Sequence, residues 1–253
     1  MVTLEIAVTL ALELRNVQKS FGGLPATHDV SLGVVPGERR LIIGPNGAGK
    51  TTLFNLITGD VRRDSGAIRL FGEEISRMRS HERAQRGVAR TYQIITLFPN
   101  DTLEHNLVLS LLGRSRSRWD AFKPLALYRN LIQEAQGVLA QVGLDLLATR
   151  PIGEVSYGEK RRLEIAMALA QKPKVLLLDE PFAGLSSEER AAMKQLIADI
   201  PREVTVVMIE HDMDTALDLA DRITLLHYGR VIVEGTRAEV VADPRTREVY
   251  LGD

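Results

Sequence analysis

Eight consecutive residues constrain this 253-residue chain more than any others: Gly44-Pro45-Asn46-Gly47-Ala48-Gly49-Lys50-Thr51, a full match to G-x-x-x-x-G-K-[ST]. Glycines at this spacing let a backbone curl until its N–H groups point inward at phosphate oxygens, and the positive end of the helix that follows adds to the attraction. Lys50 is placed to reach the β- and γ-phosphates of a nucleotide, and the Thr51 hydroxyl to bind Mg²⁺. A chance match in a chain of this length has a probability of roughly one in a hundred. The apolar run Leu41-Ile42-Ile43 precedes the loop, and Lys50 to Thr58, closed by Gly59, reads as the helix behind it. Gly44 to Thr52 are therefore the candidate phosphate contacts.

The segments around the loop predict the rest of the architecture. Leu12 to Val17, Val30 to Val35 and Gly66 to Phe71 read as strands and make a β-rich first portion. From Thr102 to about Gly143 the apolar spacing turns helical, with Leu131, Ile132, Ala135, Val138, Leu139 and Val142 on one face and Trp119 and Phe122 in the looser stretch between two helices. Strand and helix then alternate: Val175 to Leu178, Ser187 to Ile200, Val204 to Ile209, Asp212 to Leu219 and Ile223 to His227. Apolar strands alternating with helices imply a parallel sheet covered on both faces.

Composition narrows the function. Hydrophobic residues at 45% and charged residues at 26% can build a core unaided. With no cysteine there is no disulfide, thiolate zinc site or cysteine nucleophile. A net charge of -1, with Lys and Arg spread along the chain, counts against a nucleic-acid partner. No apolar run approaches the roughly 20 residues of a membrane helix. Met1 to Leu12 is apolar but lacks a basic start, so it reads as a leading strand or a disordered extension rather than a signal peptide.

The phosphate loop alone leaves kinase, GTPase, motor and transporter ATPase open; the lack of an Asn-Lys-x-Asp stretch counts against the GTPase. The run Val175 to Leu178 ends in Asp179-Glu180. In open α/β sheets ligands sit beyond the carboxyl ends of the strands, so Asp179 suits a Mg²⁺ shell and Glu180 the polarising of an attacking water. Alone, two acids after an apolar run are an ordinary strand end. Beside the phosphate loop they are more. Upstream, Val155-Ser156-Tyr157-Gly158-Glu159 opens a helix, where Ser156 and Gly158 could donate to a phosphate or Ser156 simply cap the helix.

At this spacing the chain resembles the ATP-binding-cassette family over Leu12 to Asp253. The resemblance implies an α/β fold: a P-loop NTPase core with a mostly parallel sheet, an antiparallel β subdomain and an inserted helical subdomain. Within a single domain it places the β subdomain and first part of the core at 12–93, the helical insertion at 94–157, and the remaining core and C-terminal tail at 158–253. It also implies ATP and Mg²⁺ as cofactors. Phe21 stands where the family stacks an aromatic on adenine, and Gln93 resembles the residue that links γ-phosphate and Mg²⁺ to the membrane subunit. His211 resembles the switch histidine, and Ala183-Gly184-Leu185-Ser186 the loop that crosses the dimer interface.

Ser156, Gly158 and Glu159 would complete the nucleotide site of a second ATPase subunit. Glu159 departs from the family's usual Gln, and Tyr157 from its Gly. Tyr157, the Ala-Gly-Leu loop, Arg90-Thr91-Tyr92-Gln93, Arg161 to Ala166 and the tail Val249-Tyr250-Leu251-Gly252 are similar to the ATPases of high-affinity branched-chain amino-acid importers. The implied setting is peripheral, on the cytoplasmic face of the inner membrane, with permease subunits as partners and a solute-binding protein acting indirectly. Two other readings stay open: a lipid or lipopolysaccharide exporter, and a non-transport cassette protein of DNA repair or translation.

Overall fold

The structure is a computed structural model that describes residues 9–92, 97–115, 124–211 and 213–251. Gln93, Trp119, Phe122, Gly252 and most of the leading segment Met1 to Leu12 lie outside the described residues. The β-rich first portion is a four-stranded antiparallel sheet in the order β2-β1-β4-β5, built from Leu12–Phe21, Leu24–Val34, Ser65–Leu70 and Glu73–Glu74. β1 (Leu12–Phe21) and β2 (Leu24–Val34) run past their expected ends because Gly22-Gly23 joins them as a hairpin. Leu12, Leu14 and Val17 face inward, and a bulge between Leu14 and Val17 restores the register. Asn16 takes a positive φ of 49° there, and its amide donates to Asp29 at 2.6 Å.

The second sheet has six strands, β10-β9-β3-β8-β7-β6. β3 (Arg39–Ile43), β6 (Val88–Arg90), β7 (Val175–Asp179), β8 (Thr205–Ile209) and β9 (Arg222–His227) are parallel; β10 (Arg230–Gly235) turns back antiparallel to β9. Every residue of β7 and β8 is buried, as a strand covered on both faces requires. One face meets α1 (Lys50–Thr58) and the antiparallel sheet through Phe54, Ile57, Val30 and Ile68. The other meets α6 (Ser187–Ala198) through Met193 and Ile197. The two sheets are also tied by Arg40, which is 2% exposed: it donates to Gly33 O at 2.8 Å and to Thr224 Oγ1 at 2.9 Å, and pairs with Glu38 at 2.5 Å and Glu234 at 2.9 Å.

α1 stops where its sequence says it should. Gly59 adopts φ 82°, and its N–H returns to Asn55 O. Arg83 of α2 (Ser80–Arg86) then satisfies the carbonyls of Leu56 at 2.6 Å and Ile57 at 2.9 Å; burial pushes this guanidinium down to about 10.

The helical insertion is α3 (Leu103–Arg114) and α4 (Arg129–Gln141) packed on α5 (Tyr157–Ala170). Leu107, Leu111, Ala135 and Leu139 form its core together with Leu163, Ala166 and Ala170 of α5. Ile165 and Ala168, on another side of α5, belong to the core beneath the parallel sheet. A boundary at residue 157 therefore falls at the start of a helix that both cores share. The expected helix from Asp212 to Leu219 stops earlier at its carboxyl end, with α7 at Met213–Ala216; Asp212 lies outside the described residues. Two further helices, α8 (Arg237–Ala242) and α9 (Pro244–Leu251), close the chain.

Candidate nucleotide site

The carboxyl ends of β3, β7 and β8 open onto one cavity of about 290 Å³, lined by Asn46 to Thr52, Ala26, Glu180 and His211. The loop can form only with glycine at two points. Gly44 has φ 148° and Gly49 φ 98°, and a Cβ on either would lie 2.0 Å from Leu226 O or 2.2 Å from Ala26 O. α1 begins at Lys50 directly behind this turn, so its unpaired N–H groups face the cavity. Lys50 is only 5% exposed and folds its ammonium back onto Gly44 O at 2.6 Å and Pro45 O at 3.0 Å. Burial lowers its proton affinity, and the carboxylates of Glu180 and Asp179 pull it part of the way back up. A nearly buried cation and converging helix N–H groups fit a polyphosphate.

Glu180 has φ 49°, a left-handed backbone that a non-glycine residue adopts at a cost of about 1–3 kcal/mol. Its N–H donates to Ile209 O at 3.0 Å, which pins the turn to the end of β8. The carboxylate then stands 2.8 Å from His211 Nε2 at the cavity wall. Glu210 holds this corner from behind: 3% exposed, it accepts the Phe182 N–H at 2.8 Å. Asp179 is 1% exposed and gives one oxygen, Oδ2, to Arg90 at 2.7 Å. With Thr51 it offers hard oxygen donors of the kind Mg²⁺ takes. Among the described residues no three His, Cys, Asp or Glu side chains gather into a cluster that could hold a metal ion. Mg²⁺ commonly binds through one or two carboxylates plus substrate phosphates.

The remaining candidates lie elsewhere. Phe21 does not line the cavity; it is 49% exposed at the tip of the β1–β2 hairpin, with Lys19 Nζ 5.3 Å from its ring centre. Ser156 is the N-cap of α5, accepting the Glu159 N–H at 3.2 Å while Glu159 Oε2 accepts the Ser156 N–H at 2.6 Å. The Glu159 carboxylate thus engages the start of its own helix. The Gly158 N–H donates to Glu189 Oε1 at 3.0 Å. Arg90, Glu189 and Glu210 had no assigned role in the sequence reading; each acts through a partner remote in sequence or on a neighbouring turn.

This geometry agrees with comparison to known proteins. A sequence model described as ABC transporter matches residues 27–183. The chain belongs to the ABC transporter family. Over 249 residues this ABC ATPase is 39% identical to the high-affinity branched-chain amino acid transport ATP-binding protein BraF of Pseudomonas aeruginosa, with 96% of this chain and 98% of that protein covered. It is 33% identical to LivG of Escherichia coli K12, which has the same description, over the same shares. Among solved structures it resembles the ADP conformation of the ATP-binding cassette MJ1267, with TM-score 0.87, 30% identity, and 96% and 99% of the two chains covered. It also resembles the dimeric post-hydrolysis cassette MJ0796 bound to ADP and Pi, with TM-score 0.76, 26% identity, and 89% and 98% covered.

Proposed function

We propose that this ABC ATPase drives the uptake of branched-chain or related amino acids, as one of two cassettes seated beneath permease subunits on the cytoplasmic face of the inner membrane. The observation that carries the reading is end-to-end similarity to BraF, at 39% identity with 98% of that protein covered. A local feature supports it. The aromatic Tyr157 packs on Gly184 of the interface loop, 3.2 Å from where a Cβ would stand, which joins the two traits that mark the importer subgroup. Among the described residues no helix is long and apolar enough to cross a membrane, so a transport role runs through partners.

In this reading Gly44 to Thr52 hold the phosphates of ATP, while Thr51, Asp179 and Gln93 hold Mg²⁺. Glu180 takes the proton of the attacking water, with His211 beside it, and Phe21 stacks on the base. Ser156 and Gly158 close the site of the second cassette, and a solute-binding protein delivers the cargo.

The reading is tested by purifying the tagged chain from membranes, identifying the permease subunits that accompany it, and measuring uptake of labelled leucine in reconstituted vesicles. Uptake should require ATP and vanish with Lys50→Ala. Co-purification with permeases that move lipid overturns the cargo assignment, and co-purification with ribosomes or DNA overturns transport itself.

A further inference from the structure

Asp179, the acid assigned above to the Mg²⁺ shell, does not stand alone at the end of β7. Arg90, the last residue of β6, donates from Nη2 to Asp179 Oδ2 at 2.7 Å, and the two side chains are 4% and 2% exposed. Its other terminal nitrogen, Nη1, donates to Asn55 Oδ1 on α1 at 2.6 Å and lies 3.7 Å from Asp60 Oδ2. The guanidinium carbon sits 5.4 Å from the ring centre of Phe54 and 4.9 Å from that of Tyr92. A second tie joins the same strands: the Asp179 N–H donates to Thr91 Oγ1 at 3.2 Å, and the Thr91 N–H to Leu177 O at 2.9 Å.

This arrangement does more than neutralise a buried charge. A carboxylate that has committed one oxygen to a fixed donor can turn only by breaking that bond, so its other oxygen is held in a set direction. A guanidinium suits the task because it is planar, stays charged, and reaches two acceptors at once. Here the two acceptors lie on different elements, Asp179 on the strand and Asn55 on the helix behind the phosphate loop. A lysine could keep the charge but could not span both. Arg90 and Tyr92 also line a second cavity of about 430 Å³, which extends to Met167 and Gln171 at the side of α5. The guanidinium is thus wedged between the nucleotide site and the cleft beside the helical insertion.

We propose that Arg90 is a positioning residue for the metal: it holds Asp179 in the one orientation in which its second oxygen meets the Mg²⁺ shell. The proposal rests on the reading of Asp179 as a shell residue and goes beyond it. Outer partners of metal-ligating groups orient those groups, and their loss costs about 10- to 100-fold in metal affinity.

The experiment is a Mg²⁺ titration of the binding of a fluorescent ATP analogue to the full chain, with a parallel measurement in EDTA. Arg90→Lys keeps the positive charge, and Asn55→Ala frees the far end of the fork while leaving the ion pair. Both should bind the analogue like wild type without metal, because Lys50 and the loop N–H groups are unchanged. The Mg²⁺ midpoint should rise by about 10-fold in Arg90→Lys, the low end for an outer partner, and less in Asn55→Ala. Asp179→Asn serves as the control. A midpoint shifted in Asp179→Asn but in neither of the others overturns the role of Arg90 and leaves the Asp179 reading intact. A midpoint unshifted in all three overturns the Asp179 reading, and the proposal with it. Equal loss of metal-free binding in Arg90→Lys makes Arg90 a folding residue only and also overturns the proposal.

Discussion

The Glu189 carboxylate of α6 accepts the backbone N–H of Gly158, at the first turn of α5, at 3.0 Å. The same carboxylate accepts the Ser186 N–H at 3.0 Å, so one side chain joins the interface loop to the helix that is proposed to reach across the dimer. In the lone chain, therefore, the N–H assigned to the partner's γ-phosphate is already given to an anion of its own chain.

Gly158→Ala tests how tightly that junction is built. An added Cβ would stand 2.4 Å from Glu189 Oε1 and 2.6 Å from its Cδ, so the cap or the helix start must shift. The Glu189 side chain can swing aside, but only by giving up its bond to the Gly158 N–H, a loss of about 0.5–1.5 kcal/mol. The melting temperature should fall by about a few degrees at most, and ATP-driven association should be lost on size-exclusion chromatography while the monomer still binds nucleotide. Full ATP-driven association in the variant would show that the junction has no part in closure.

Glu180→Gln should slow phosphate release by about 10²–10⁴-fold, the usual worth of a general base. Nucleotide affinity should persist, because the amide keeps the size of the carboxylate and the loop is untouched. Near wild-type turnover would move the water-activating role to another group, with His211 at 2.8 Å the first to test.

Lys50 links nucleotide binding to pH. Burial holds its ammonium below the usual lysine range, and an incoming triphosphate must raise it again. Below the depressed free value both states carry the proton and affinity is level. Between the free and bound values binding takes up a proton, so affinity falls as pH rises. Isothermal titration in buffers of different ionisation enthalpy should detect that uptake at alkaline pH. Lys50→Arg should abolish the slope, since arginine keeps its charge. Proton release in the wild type would contradict the assignment.

Arg40 predicts a stability difference between two arginines. Its removal in Arg40→Met strands Glu38, which is 5% exposed, and breaking one partner from a buried pair costs about 3–5 kcal/mol. Arg15 pairs with Glu13 at 2.6 Å but is 55% exposed, so Arg15→Met should change stability by less than about 1 kcal/mol. Urea unfolding of both variants measures the contrast, and equal losses would refute it.

What could be read from the sequence was what is encoded by neighbours. The phosphate loop, the span of α1 and its glycine stop depend on residues within a few positions of one another, and the structure places them as expected. The place of Asp179 and Glu180 at the end of β7 was legible because the apolar run stops there. β6 was not: it has three residues and exists because β7 pairs with it, a contact no local pattern records. Arg90 finds Asp179 across 89 residues and Glu189 finds Gly158 across 31, so neither role has a local signal. The Glu159 cap did have one, since Ser-x-x-Glu before an apolar run is itself a helix-start signature.

α5 gives Leu163, Ala166 and Ala170 to one core and Ile165 and Ala168 to another. It is an axle seated in two bearings. A tilt of the helical insertion cannot leave this helix behind, and Ser156 and Gly158 sit at its tip. With a rise of about 1.5 Å per residue, a rigid rod of this length turns a few degrees at one bearing into roughly an ångström at the far end. That is the scale on which a hydrogen bond to a phosphate is made or lost. In the proposed dimer, force applied to the side of the insertion would therefore be felt at the nucleotide of the opposite subunit without any loop having to carry it.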